Sequence, residues 1–452
     1  MSTHNSLSSE ELQHTSLGSA LDEGVGAKLD ACPDIQFTLE AVGEGLFYDG
    51  RIKSFNFVYD CGSQKQRAVD AAVDRYHKRI GTSALDLLII SHLHSDHVDG
   101  LDRLLNLMKV KYIVMPYVRP IERLLIWAAT TKRKRWFRTF LTRPYSYLLR
   151  DRGIERIVVV TGGRRRSEER QGGESDNPND YDKKPPTNIE GNWPGEFAID
   201  DESFESMPED REIQSRMEVV GDLPADLRGR VMVRQHFGYL NIRGNWMFRF
   251  FNKPISAEKI NGFVNCLKSN VKPLGGDLTV DQLSDLLRNP AERKRFADCY
   301  KRISSDLNFT SLVALHSSLG WNAGGYIEVE GRRTVIGSPK LEWMMLSSPS
   351  QRIGHLLLGD INLGGESWNE LRQHFDKYLS DIDAILIPHH GSRRSWNRAL
   401  LGEIPAGCRL YLSAGIGNQY SHPSITVISE TEQSGRLIRW SDDFHEFSVC
   451  YY

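Results

Sequence analysis

His92, His94, Asp96 and His97 put four nitrogen or oxygen donors into six consecutive residues. Imidazole and carboxylate hold a divalent cation at about 2.0–2.2 Å, and four donors from one short segment exceed what a single ion takes from one loop. The spacing points to two ions about 3.5–4 Å apart, as in hydrolytic two-metal sites. Such a pair needs a carboxylate reaching both ions and donors closing the far side. Asp360 in LLLGDIN is the candidate for the first; His389 and His390 in IPHHGS and His422 in YSHPS are candidates for the second. Two cations sharing a bridging water would bring its pKa towards neutrality and stabilise charge on a carbonyl or phosphoryl oxygen, so the expected chemistry is hydrolysis by a bridging hydroxide.

The elements that must hold these donors follow from the flanking pattern. Leu85 to Ile90 is a short aliphatic run ending in the cluster, the signature of a core strand. Leu101, Leu104, Leu105 and Met108 then recur at helical spacing, so the cluster sits on a strand-to-helix turn. GHLLLGDIN, IDAILIPHHGS and CRLYLSAGIGNQYSHPS repeat the design of an apolar strand with a polar tip, and SWNELRQHFDKYL reads as a helix between the first two. Upstream, two apolar segments flank Asp49-Gly50, a dipeptide suited to a hairpin turn, and the second ends in Asp60-Cys61-Gly62. Residues 64–79 read as a helix, KYIVMPYV and IERIVVVTGG as strands with helix between them, NWMFRFF as a strand and residues 280–307 as a helix. Alternating strands and helices with polar residues at the strand ends indicate an α/β layered enzyme.

A chain of 452 residues fits one large elaborated domain or two of ordinary size. With a formal net charge of −2, bulk charge selects no partner, and any nucleic-acid surface must be local. KRKRWFR, GGRRR and GSRRSW supply basic side chains for phosphates, and Trp136, Phe137 and Trp396 supply rings for stacking bases. The six cysteines are far apart and form no CxxC pair, which argues against a thiolate metal site and for a reduced, cytoplasmic chain. The first twenty residues lack a secretory signal pattern, and without an apolar run of about 18 residues no membrane insertion is expected.

His92-Leu93-His94-Ser95-Asp96-His97 resembles the HxHxDH signature of the metallo-β-lactamase superfamily. NFTSLV, LLLGD, IPHHGS and SAGIGNQYSHPS resemble the soluble hydrolase domain of ComEC/Rec2-type proteins within it. The resemblance implies an α/β fold, a metallo-β-lactamase αββα sandwich with a large insertion between its two halves. The expected organisation is a leader over 1–34, a first half over 35–163, linker and insertion over 164–304, and a second half over 305–452.

Carried onto these positions, the resemblance gives His92 and His94 to one metal, Asp96 and His97 to the other, and Asp360 to both. One of His389 and His390 would be a ligand, and since consecutive strand-end residues point oppositely the sequence leaves open which; His389 is the one favoured as ligand, with His390 behind it or facing substrate. Catalysis is assigned to Asp96, Asp360 and His390. His422 is either a ligand or a phosphate contact, and Asp60 orients a histidine. Asn308 and Ser311 stand where other members supply a further histidine. Ser392, Arg393 and Arg394 are placed beside the substrate, and His316 is read as a strand residue without catalytic duty. The cofactor expected is two divalent ions, zinc or manganese. The expected activity is that of a phosphodiesterase or nuclease on nucleic acid or another phosphodiester. The alternatives are a hydrolase of a small ester, lactone or thioester, and a module gated by a protein partner through the 164–304 insertion.

Overall fold

Phe55–Tyr59 and Leu85–Ile89 are buried at every position, as expected of strands covered on both faces. The computed structural model describes residues 35–130, 134–162, 199–200, 208–242, 245–253, 257–270, 278–303, 311–323, 326–332, 340–347 and 351–451. Its strands are β1 (Ile35–Leu39), β2 (Tyr48–Ile52), β3 (Phe55–Tyr59), β4 (Leu85–Ile89), β5 (Val110–Pro116), β6 (Arg156–Thr161), β7 (Ile199–Asp200), β8 (Val231–Gln235), β9 (Tyr239–Ile242), β10 (Trp246–Asn252), β11 (Leu312–Ala323), β12 (Tyr326–Arg332), β13 (Lys340–Ser347), β14 (Gln351–Leu357), β15 (Ala384–Leu386), β16 (Arg409–Ser413), β17 (Ile438–Ser441) and β18 (His445–Tyr451). The principal helices are α1 (Gln66–Ile80), α2 (Leu101–Leu107), α3 (Pro120–Ala129), α4 (Arg135–Thr142), α5 (Pro208–Val219), α6 (Ala257–Asn270), α7 (Val280–Arg288), α8 (Pro290–Ile303), α9 (Glu366–Leu379) and α10 (Ile425–Gln433).

The strands form two sheets, ordered β13-β12-β18-β1-β2-β3-β4-β5-β6-β8 and β17-β16-β15-β14-β11-β10-β9-β7. Phe37, Phe57, Val114, Phe248 and Leu357 from the two facing surfaces share one core. Val73, Leu104, Trp127, Phe140 and Phe296 cover the outer side of the first sheet, and Leu371, Phe375 and Val427 that of the second. Helix, sheet, sheet, helix is the αββα order expected. β14, β15 and β16 run parallel, so their polar tips gather at one end. There the two sheets are tied together: the Leu312 N–H donates to Ser91 O at 2.7 Å, and the Tyr59 hydroxyl donates to Leu312 O at 2.8 Å.

Several local readings change. Asp49-Gly50 is not a turn but the middle of β2, opposite Val58 and Phe57; the hairpin turns at Lys53-Ser54, with Lys53 at φ 54°. Gly50 is needed for another reason, since a Cβ there would run into the Phe57 ring. The helix read over 280–307 breaks into α7 and α8 at Asn289-Pro290, because proline lacks the N–H and disfavours helix in the residue before it. Residues 231–252, within the stretch assigned to linker and insertion, supply β8 to the first sheet and β9 and β10 to the second. Cys266 on α6 and Cys299 on α8 form a disulfide, a departure from the reduced chain expected, since disulfides are rare where glutathione keeps thiols reduced.

His316 lies in the core between the sheets, its Nε2 3.0 Å from the Tyr48 hydroxyl. Burial pushes its pKa down to about 3, so it is neutral there. No helix among the described residues is long and apolar enough to cross a membrane.

Candidate metal centre

β4 ends at Ile89, and the chain passes through Ser91 into the cluster. A one-turn helix, Ser95–Val98, follows at once and turns Asp96 and His97 back over the strand end. The His92 ring lies 4.0 Å from that of His97 and 4.8 Å from that of His94. From the second sheet, β14 ends at Leu357 and delivers Asp360; β15 ends at Leu386 and delivers His389 and His390.

Asp360 is the point where both contributions meet. Its Oδ1 is 3.0 Å from His97 Nε2 and 4.0 Å from His390 Nε2. Its Oδ2 is 3.8 Å from His92 Nε2 and 3.8 Å from His389 Nε2. His390 Nε2 is also 3.9 Å from Asp96 Oδ2. Donors placed tetrahedrally about one cation at 2.1 Å are about 3.4 Å apart, so these separations fit the space of an ion on each side of the carboxylate. Asp96, His97 and His390 have donor atoms within 4.8 Å of one another, as do Asp60, His92 and His97. In the second trio Asp60 is already engaged, and it anchors rather than faces the centre.

The histidines share a pattern of support behind the ring. His97 Nδ1 donates to Asp60 Oδ2 at 2.7 Å, and His390 Nδ1 donates to the Ser413 carbonyl at 2.8 Å. Ser91 donates both its N–H, at 2.6 Å, and its hydroxyl, at 2.5 Å, to Asp60. The Ser91 oxygen therefore accepts from His92 Nδ1 at 2.9 Å. His389 Nδ1 is 2.8 Å from Ser395 Oγ. In a neutral ring such as His92, a proton held on Nδ1 leaves Nε2 as a lone pair aimed inward, which is how imidazole ligands are set for a metal. The Nε2 atoms of His92 and His390 are buried and have no hydrogen-bond partner, a costly state for a polar atom that nothing else meets.

The charges are mutually dependent. Burial pulls the His92 pKa well down, with His97 adding to the effect, so His92 is neutral. Burial opposes charge on His97 too, but Asp360 and Asp60 on either side raise it well above its ordinary value. Burial pushes Asp360 up, yet His97, His389 and His390 together hold it well below the usual carboxylate range. Asp60 is raised by burial despite the His97 and Ser91 contacts.

Both consecutive histidines reach the Asp360 carboxylate, where only one was expected to. The alternation of a strand does not extend to them. His389 and His390 have φ of 50° and 54°, followed by Gly391 at 76°. This left-handed turn swings both rings to the same side, at a conformational cost that non-glycine residues seldom bear outside functional sites. Ser311 faces the centre from behind: its Oγ accepts the Asp360 N–H at 3.0 Å. Asn308 lies outside the described residues. Ser392 is buried and its N–H donates to His389 O at 2.8 Å, while Arg393 and Arg394 are exposed on the turn that follows. Trp396 and Phe137 are removed as stacking platforms. Trp396 is 8% exposed with its indole N–H donating to Glu430, and Phe137 is 1% exposed in the helix-side core.

His422 sits at the rim, its ring 5.5 Å from that of His389 and 6.1 Å from that of His390. Its Nδ1 is 2.9 Å from Glu44 Oε1, and the Tyr420 ring stacks on it at 5.7 Å. Glu44, Ser91, Ser395 and Tyr420 were not legible as site residues; only the closeness of Ser91 and Ser395 to histidine motifs could have drawn attention to them. Asp60→Asn keeps the shape but removes the charge behind His97. It is expected to weaken metal affinity about 10–100-fold, read by competition with a chromogenic chelator; unchanged affinity would show that His97 is oriented without Asp60.

A family profile described as the metallo-beta-lactamase superfamily matches residues 51–175, from the end of β2 through the His92–His97 cluster. That superfamily consists mostly of hydrolases and typically binds divalent metals such as zinc, in keeping with the His/Asp groups here. The αββα sandwich agrees with this fold. A search of curated proteins returns no match.

Proposed function

We propose that the chain is a metal-dependent phosphodiesterase, acting on nucleic acid or a related phosphodiester. The observation that carries the reading is the convergence of four histidine Nε2 atoms from two sheets on Asp360, those of His92 and His390 buried without a hydrogen bond. His92, His94 and His389 would hold one divalent ion, Asp96, His97 and His390 the other, and Asp360 would serve both. Bound divalent cations supply Lewis acidity, lowering the pKa of water and taking up charge on a phosphoryl oxygen.

The chain's own groups do the rest. Asp60, Ser91, Ser395 and the Ser413 carbonyl keep the rings from rotating, so the centre is organised before substrate arrives. His422 stands at the rim with its Nδ1 held by Glu44; with a proton on both ring nitrogens it would donate from Nε2 to a phosphate oxygen or to the departing oxygen. This role passes to His422 from His390, whose Nε2 is buried against Asp96 and Asp360. Arg393 and Arg394, exposed just beyond His390, supply positive charge for the rest of a phosphodiester chain. The resemblance of IPHHGS and SAGIGNQYSHPS to ComEC/Rec2-type hydrolase domains favours a phosphodiester as well. Hydrolysis of a small ester draws on a different feature, the exposed Ile416, Tyr420 and Ile425 beside or near His422.

The test is metal content of the purified chain together with hydrolysis of bis-p-nitrophenyl phosphate, a fluorescent single-stranded oligonucleotide and p-nitrophenyl butyrate, with zinc or manganese added. Two ions per chain and phosphodiester cleavage stopped by a chelator are expected. Ester cleavage alone would replace the phosphodiesterase reading. Replacing Arg393 and Arg394 by serine should raise KM on the oligonucleotide and flatten its salt dependence by about 0.7 for each phosphate no longer neutralised. An unchanged slope would take both arginines out of the substrate path.

A further inference from the structure

On α4 the apolar residues Phe137, Phe140 and Leu141 are buried in the helix-side core. Arg135, Arg138, Thr139 and Thr142 therefore form a stripe at i, i+3, i+4 and i+7 on another face. α7 repeats the arrangement: Leu283 and Leu287 are buried, and Asp281, Ser284, Asp285 and Arg288 form its stripe. The two stripes, joined by Arg143, line one cavity of about 520 Å³.

If these charges served only to join the helices, the arginines of α4 would pair with the aspartates of α7. They do not: among the described residues none of Arg135, Arg138, Arg143 and Arg288 makes an ion pair, although Asp281 and Asp285 stand on the opposite wall. Thr139 and Thr142 donate their hydroxyl hydrogens to the carbonyls of Arg135, at 3.2 Å, and Arg138, at 2.8 Å. On that wall the guanidinium groups are left as the donors.

We infer that this trough binds the backbone of single-stranded nucleic acid, away from the metal centre. Arg135 and Arg143 are eight residues apart, about 12 Å along a helix axis, too far for one phosphate to bridge and suited to successive ones. Four arginines outweigh two aspartates, so a polyanion is attracted, while Asp281 and Asp285 can accept from exocyclic amino groups of bases turned to their side. Lys134, just before α4, is 3.3 Å from Asp99, two residues past His97, so the arginine-bearing helix is tied to the segment carrying the metal-centre cluster. As an anchoring site for substrate the trough rests on the phosphodiesterase reading; as a binding site it can be measured without cleavage.

The test is fluorescence anisotropy of a labelled single-stranded oligonucleotide with the whole chain in EDTA, over a salt series. Arg135→Ser/Arg138→Ser/Arg288→Ser should bind about tenfold more weakly or worse, with a salt slope flatter by about 0.7 for each phosphate left without its arginine. Asp281→Asn/Asp285→Asn should bind more tightly, an effect of opposite sign that misfolding would not produce. Neither variant should alter hydrolysis of bis-p-nitrophenyl phosphate. Oligonucleotide affinity unmoved by both variants, or equal competition by poly-glutamate, would overturn the trough. Variant-sensitive binding by a chain that cleaves no phosphodiester would keep the trough and remove the phosphodiesterase.

Discussion

Asp360→Ala should lower kcat on a phosphodiester by about 10³-fold or more and leave the chain unable to retain its full complement of metal. The reason is the position of its two oxygens. Oδ1 lies 3.0 Å from His97 Nε2, and Oδ2 lies 3.8 Å from both His92 and His389, so one truncation takes a donor from each side. It also removes the negative charge that compensates neighbouring imidazoles in a buried space. Outer residues such as Asp60 should cost less, since they act through a ring that still has its own nitrogen in place. Asp360→Asn, which keeps the volume and one carbonyl oxygen, should fall between wild type and alanine. Metal per chain by mass spectrometry and turnover on bis-p-nitrophenyl phosphate read both effects. Full activity with full metal in the alanine variant would rule out a shared carboxylate.

The second large effect is expected one residue earlier. Gly359 has φ of 53°, and a Cβ there would run into Ser311 Oγ, 2.8 Å from Tyr59 Oη and 3.1 Å from Ser91 Cβ. Gly359→Ala combines a left-handed conformation, roughly 1–2 kcal/mol, with overpacking of typically 1–3 kcal/mol, so a loss of about 2–5 kcal/mol is expected. The turn cannot relax freely. Its carbonyl accepts the His389 N–H at 2.9 Å, and the Asp360 N–H donates to Ser311. The substitution should therefore reduce activity beyond what the unfolded fraction explains, with the urea midpoint and turnover measured on one preparation. A midpoint equal to wild type would show that Ser311 and Tyr59 move aside.

Much of this was legible in the sequence, for identifiable reasons. Leu85–Ile89 is aliphatic at all but one position and short, and the donors after it are close in sequence, so neighbouring residues alone revealed them. Asp360 was legible because an apolar run ended on a Gly-Asp pair. The orientation of His389 and His390 was not, because it depends on two left-handed residues whose conformation is stabilised by Gly359, Ser395 and Ser413 from elsewhere in the chain. Asp49-Gly50 misled because its glycine answers to a cross-strand phenylalanine rather than to a turn. Glu44 carries no local signal; its partner is His422, 378 positions away.

The place of β18 has a consequence for how the chain is made. It lies between β12 and β1 in the first sheet, pairing with β12 from His445 to Tyr451 and with β1 from Phe447 to Tyr451. As the ribosome extends the chain, β1 emerges before β2 to β17, and β18, the neighbour on its other side, follows them. Until then one side of β1 shows unpaired N–H and C=O groups, the edge on which other chains add. Polypeptides stalled or truncated before residue 445 should thus be lost to aggregates or to chaperones, even though all the donors of the candidate centre have already been synthesised.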